Sequence, residues 1–306
     1  MTDYYISPGQ TVSDMTLGGS HEDELYILKG GTAVDMIADY FGFIYVDGVA
    51  SGSQIRSGGY ESVQSGVSYD ATVYNGGYEW VGGNNATAVA HNVTVESGAV
   101  EVLRARGIAS STVLAGGEEQ VWSGGQERVY HATQNITVGA GGSVVIYSGG
   151  STLNDTLSGG KEIVQAGGSS SDTTVNAGSH LIVDSGGTVF DPQLVTNGVL
   201  KISAGGAVSG VAQFGGGHDS LIFLADLPTS NFTISGFATT DKIDFRSLSY
   251  SSANQVNLLS DNVLQITTPS ATYDMSFAST DNFTGKYFQL SPDGSGGTNI
   301  ILNSHQ

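Results

Sequence analysis

Glycine pairs on a regular beat constrain this chain more than any other feature. The stretch "LSGGKEIVQAGG" (157–168) holds two such pairs, eight residues apart, around a short half-apolar run. The rule "apolar residue, two residues, Gly" selects Ile55 before Gly58, Val73 before Gly76, Val95 before Gly98 and Val113 before Gly116. It continues with Val138 before Gly141, Val175 before Gly178 and Val195 before Gly198. Leu157 fits between Val138 and Val175 if Gly160 is used, and the interval from Ile55 to Val195 then averages 20 residues over seven steps. A second column (Val63, Val121, Ile146, Val164, Val183, Ile202) follows the same rule half a repeat later. Residues 71–110 are the least regular, and "YEWV" puts Glu79 where the pattern expects an apolar residue.

A fixed period of this length means stacked units. Short strands alternate their side chains in and out, and glycine lets the chain turn a corner every six to eight residues. One such rung cannot bury its apolar side alone, but rungs paired with their neighbours can. The reading is an all-β fold, a parallel β-helix (β-solenoid) of about 20-residue repeats and ten or so rungs. The competing reading is a sandwich or barrel with glycine hairpins. Hairpins favour Asn-Gly or Asp-Gly between longer strands, whereas these pairs are mostly SGG or AGG. The beat covers 1–210. From 211 to 306 the strands lengthen and large aromatics appear (Phe223, Phe232, Phe237, Phe245), which reads as a β-rich C-terminal cap domain over the open solenoid end.

Composition removes several function classes. Against 29 acidic residues stand 10 Lys and Arg, a formal charge of −19, so nucleic acid is not an expected partner. The absence of cysteine removes disulfides, zinc thiolates and cysteine nucleophiles. "MTDYYISPGQ" lacks the basic and apolar regions of a secretory signal, and no run of 18 apolar residues forms a membrane helix.

The repeats "TVLAGGEEQVWSGGQERVY" (112–130), "QIRSGGYESVQSGVSYDATVYNGGYEWV" (54–81) and the run 137–189 resemble the strand-loop-strand passengers of the AIDA-I and antigen 43 autotransporter adhesins. The resemblance covers about residues 10–210. It implies a parallel β-helix at a bacterial surface, acting by self-association or adhesion to surface glycans. Some members of that family carry sugars on repeat serines, which makes Ser123, Ser148, Ser158 and Ser185 possible acceptors, with plain turn serines as the favoured alternative. The chain has no segment for the family's membrane barrel.

Several further features bear on chemistry. "FGGGHDSLIFL" (214–224) partly matches the calcium repeat G-G-x-G-x-D, which would make Asp219 a Ca²⁺ ligand. It is one copy where successive copies are needed, so a glycine hinge is favoured and no cofactor is expected. Parallel β-helices also house polysaccharide lyases and hydrolases, which need clustered carboxylates. Here Glu118, Glu119, Glu127, Asp155, Glu162, Asp172, Asp184 and Asp191 fall at differing points of the repeat. Glu119 and Glu162 are read as outward, solvated strand residues, and no enzyme is expected. The six histidines show no metal spacing, and the sequons at Asn85, Asn92, Asn135, Asn154, Asn231 and Asn282 read as turn chemistry. "DYFGFIYV" (39–46) reads first as core of an N-terminal cap, with a contact patch as the alternative. A passive stalk presenting another domain is the remaining structural reading.

Overall fold

The computed structural model describes residues 1–83, 86–225 and 232–304. Asn85, Asn231 and His305 therefore lie outside the described residues. The fold is all-β, with about 12 turns of parallel β-solenoid and repeats of about 19 residues. Among the described residues the one helical element is a single 3₁₀ turn, Ser260–Asn262. The chain divides into two units: residues 1–145 with 150–152, and residues 146–149 with 153–306.

In unit 1 each turn has three faces. The first carries the longest strands: Thr2–Ile6, Asp23–Ile27, Gly42–Val46, Tyr60–Val63, Tyr78–Val81, Val100–Leu103 and Glu118–Val121. Each pairs in parallel with the next, with partners from 17 residues apart (Phe43 and Tyr60) to 22 apart (Tyr78 and Val100). The second face stacks three- and four-residue strands from Thr11–Ser13 to Gln126–Val129. The third stacks the shortest, from Thr16–Leu17 to Val113–Ala115. Strict register turns the sequence beat into columns. Ile6, Ile27, Val46, Val63, Val81, Leu103 and Val121 form one inward column, each 2 % exposed or less. β-Branched side chains dominate it because they fit a pleated, fully buried surface.

The glycine pairs have a division of labour. Gly58 has φ +76°, the left-handed conformation that turns the corner. Gly59 does not, but a Cβ there would lie 2.2 Å from the carbonyl oxygen of Ala38 in the preceding turn. In this pair, and in Gly76–Gly77, Gly141–Gly142 and Gly186–Gly187, the first glycine bends the chain and the second lets two rungs touch. A different corner uses Asp or Asn instead. Asp35, Asp70 and Asn92 all have φ between 54° and 56°, which short polar side chains tolerate. Their backbone N–H groups donate to Ser51, His91 and Ser110 in the following turn.

Unit 2 stacks Lys161–Val164, His180–Val183, Val199–Ile202, Ser220–Phe223 and Lys242–Phe245 in parallel register. In the stretch 157–168, Val164 points inward as the beat requires, and Glu162 is buried beside it. Residues 211 onward change strand length and side-chain size, but the parallel ladder continues to Phe245. The pairing then reverses: Thr298–Ser304 runs antiparallel to Lys242–Phe245, and Lys286–Pro292 antiparallel to Thr298–Ser304. Phe237, Phe277, Phe283 and Phe288 pack ring against ring in this last part.

Candidate binding face and interior acid column

Period-2 alternation on the first face of unit 1 sends two kinds of side chain in opposite directions. Each strand from Tyr60 to Val81 reads aromatic, Glu, outward residue, Val. The glutamates go in and the aromatics go out.

Outward, the rings form a strip. Tyr5 stacks on Tyr26 at 5.1 Å between centroids, and Tyr26 on Tyr45 at 4.9 Å. Phe43 and Tyr60 continue it at 6.0 Å, and Tyr60 meets Trp80 edge-on at 5.1 Å. The Arg104 guanidinium lies 3.4 Å from the Trp80 ring centre and 5.6 Å from that of Trp122. The rings cover the residues beneath them, so the outward Ser62 and Val102 are only 6 % exposed. Tyr5, Tyr78 and Trp122 keep 46–59 % of their surface in solvent. Polar groups line the strip. The Tyr26 hydroxyl donates to Glu24, the Trp122 indole N–H donates to Gln120 Oε1 (3.2 Å), and the Gln120 amide donates to Glu118 (2.6 Å). Burial, followed by the Glu24 carboxylate, raises the Tyr45 pKa, keeping its phenol protonated.

The expectation that "DYFGFIYV" is cap core is corrected at four positions. Ile44 and Val46 are core, but Tyr40 and Phe41 are exposed and Phe43 and Tyr45 face outward, half-buried. The physical reason is parity: once Ile44 and Val46 face in, Phe43 and Tyr45 must face out.

Inward, Glu61, Glu79, Glu101 and Glu119 are direct register partners on four successive turns, and all are 0 % exposed. Ile44 precedes them in the column and Ile136 follows. Glu127, 1 % exposed, belongs to the inward column of the second face, next to Ala109. This corrects the reading of Glu119 and Glu162 as outward and solvated. Both are 0 % exposed, as is Asp155, because each stands two residues from an inward Val or Leu (Val121, Val164, Leu157). Small residues across the interior (Ser68, Ala90, Ala109) leave room for the longer acids. The Ser68 hydroxyl donates to Glu61 Oε1 at 2.6 Å. Both carboxyl oxygens of Glu79, Glu101 and Glu127 lack a hydrogen-bond partner, and the Ser53 and Thr112 hydroxyls face the column without closing a full bond. Burial is the main cause that raises the pKa of Glu61, Glu79, Glu101 and Glu127. Glu101 is pushed up to about 7, and Glu79 and Glu127 well above the carboxylate range with help from Glu101 next to them. Sealed from solvent, these carboxyls meet no substrate.

Asp219 is buried and capped. Its Oδ1 accepts from the Gly198 N–H (2.9 Å) and its Oδ2 from the Gly216 N–H (3.3 Å), while its own N–H donates to Asp241 Oδ1 (3.0 Å). Asp241 repeats the arrangement one turn on, accepting from the Ala238 N–H. Among the described residues no group of three His, Asp or Glu is placed to hold a metal ion. Removing the cap should leave the buried Gly198 N–H unsatisfied and take the acceptor from the part-buried Gly216 N–H. Asp219→Ala is therefore expected to lower stability by about 2–3 kcal/mol in urea unfolding, and an unchanged midpoint would show that the cap is dispensable.

Ser123, Ser148, Ser158 and Ser185 are all exposed, three at corners and Ser158 at the end of the strand Thr156–Ser158. Three of them stand beside the left-handed glycine of the following turn, where a Cβ would come within 2.8 Å of the serine oxygen: Gly141, Gly167 and Gly205. The sequon residues Asn92, Asn135 and Asn154 all have positive φ and serve as corners. Asn282 caps a local turn through the Thr284 N–H.

The repeats and the three-faced parallel ladder fit the AIDA-I-type passenger family that the sequence resembles. No family model matches the sequence, and no curated protein does. Among solved structures it is similar to a TibA fragment hyper-glycosylated by TibC. The two are 26 % identical, with a TM-score of 0.35, over 77 % of this chain and 94 % of that one. No described helix is long and apolar enough to cross a membrane.

Proposed function

We propose that this protein is an adhesion module of a bacterial surface, and that unit 1 holds an extended, uncharged glycan along its aromatic strip. The observation that carries the reading is the strip itself, running from Tyr5 to Trp122 on one outer face. Aromatic side chains with a polar edge give an apolar surface and a hydrogen-bonding tip together. A sugar ring has the complementary character, with C–H groups on its face and hydroxyls at its rim. Rungs repeat at about 4.8 Å, close to the length of one sugar in an extended chain, so successive rungs meet successive sugars. Glu24, Gln120 and Glu118 supply acceptors for hydroxyls, and the net charge of −19 disfavours an acidic polymer.

Binding to immobilised neutral and acidic polysaccharides tests this. Trp80→Ala is expected to weaken binding to a neutral chain at least tenfold, the equivalent of about 1.4 kcal/mol, by removing the ring on which Arg104 rests. Trp122→Ala should act in the same direction. Wild-type affinity in both variants, or binding to none of the polymers, would overturn the reading. Concentration-dependent association in sedimentation, abolished by the same substitutions, would reassign the strip to contact between copies.

A further inference from the structure

The interior acids are unused by adhesion, and their arrangement has its own consequence. Glu61, Glu79 and Glu101 occupy one column on adjacent turns, fully buried, with Glu119 next in register. The groups that face them are known from each side of the interior. The second face presents Ser68, Ala90, Ala109 and Glu127. The third presents Ile55, Val73, Val95 and Leu114, which carry no charge. Arg128 acts on Glu127, and Arg104 lies on the outer side of the first face, against Trp80. By contrast, the buried Asp244 of unit 2 has a cation, Arg246, at 2.7 Å.

We infer that Glu61, Glu79, Glu101 and Glu127 form a proton-dependent lock: protonated, they let the rungs of unit 1 stack closely, and their ionisation loosens the same strands that carry the aromatic strip. Two carboxylates one rung apart in a dry interior repel strongly. A protonated carboxyl removes that repulsion and adds a donor that a neighbouring acid can accept. The upward displacement of all four acids by burial gives the sign. The folded chain holds protons that the unfolded chain gives up at its ordinary carboxyl value. The stabilisation is therefore complete below about pH 4.3 and is lost as pH rises through about 7 for Glu101 and further for Glu79 and Glu127. The inference does not depend on what the strip binds, because its test reads stability.

The test uses the full chain between pH 5 and 9, with thermal unfolding and amide-exchange protection factors. The midpoint is expected to fall by roughly 5 °C or more across this range. Protection over Tyr60–Val63, Tyr78–Val81 and Val100–Leu103 should drop by roughly tenfold, as one pKa unit of linkage requires. The Glu79→Gln/Glu101→Gln double variant should lose at least half of the slope, and Glu22→Gln, at an exposed acid, should keep it. A flat wild-type profile overturns the lock. So does a full slope in the double variant, which would assign the pH response to surface charge. If the double variant fails to fold, Glu79→Leu replaces it, and an undiminished slope there overturns the lock equally.

Discussion

Gly59→Ala is expected to cost about 3–5 kcal/mol, among the largest effects of any single methyl in this chain. Gly59 has an ordinary backbone conformation, so alanine brings no torsional strain of its own. The cost comes from approach: the new Cβ would lie 2.2 Å from the Ala38 oxygen and 2.7 Å from its carbonyl carbon. Neither atom can retreat easily, because Ile37–Ala38 is held in register between Thr16–Leu17 and Gln54–Ile55, and the Ala38 oxygen accepts from the Arg56 N–H. Gly9 is the control. Its φ is +78°, but nothing lies within 4 Å of a Cβ there. Gly9→Ala should cost only the left-handed penalty, about 1–2 kcal/mol. Urea midpoints of the two variants at one pH separate the cases, and equal midpoints would refute the division of labour between the paired glycines. Ala99 holds an equivalent corner, so closeness of local approach, not position in the repeat, sets the cost.

Glu79→Leu is expected to stabilise the protein at pH 8 by about 2 kcal/mol or more. Glu79 is a fully buried acid with both oxygens unpartnered, and such a group costs roughly 1–3 kcal/mol even when neutral. Leucine has a similar volume and no polar atom. It also relieves Glu61 and Glu101, whose charges act on Glu79 from either side. The gain should be larger at pH 8 than at pH 5, since the acid destabilises the fold increasingly as pH rises towards its raised pKa. Thermal midpoints at the two pH values check both sign and trend. A destabilised variant would mean that the Glu79 carboxyl is doing structural work that leucine cannot replace.

The glycine beat made the solenoid legible. Val63, Val121, Ile146, Val164 and Val183, selected by spacing alone, are all at 0 % exposure. The acids and aromatics are harder to read because residue type and strand parity point in opposite directions. Acidic side chains are almost never fully buried without a partner, which argues for Glu119 and Glu162 on the outside. Yet Glu61, Glu79, Glu101 and Glu119 each stand two residues before an inward Val or Leu, and period-2 alternation puts both on one side. The same counting sends Tyr45, Tyr60 and Trp80 out. The strip's partners were not legible at all, because stacking Arg104 on Trp80 depends on residues a full turn apart lying side by side. Nor was the capping of Asp219, whose two donors come from separate turns.

The paired glycines also let the chain document its own tolerance. Comparing its rungs is a substitution series already carried out on one scaffold. In the bending place, glycine has been exchanged for Phe41, Arg106 and Asn197, all still at φ 63–66°. Beside each of the three, the touching place is still glycine: Gly42, Gly107 and Gly198, with 2.1–2.5 Å between a virtual Cβ and a carbonyl oxygen. Mutational drift along this molecule should therefore be asymmetric. Side chains of any size can accumulate at the bend, projecting from an outer corner and free to become new contact surface. The residue that follows must stay small where the turn beneath comes close: glycine at most corners, Ala99 and Ser179 at two.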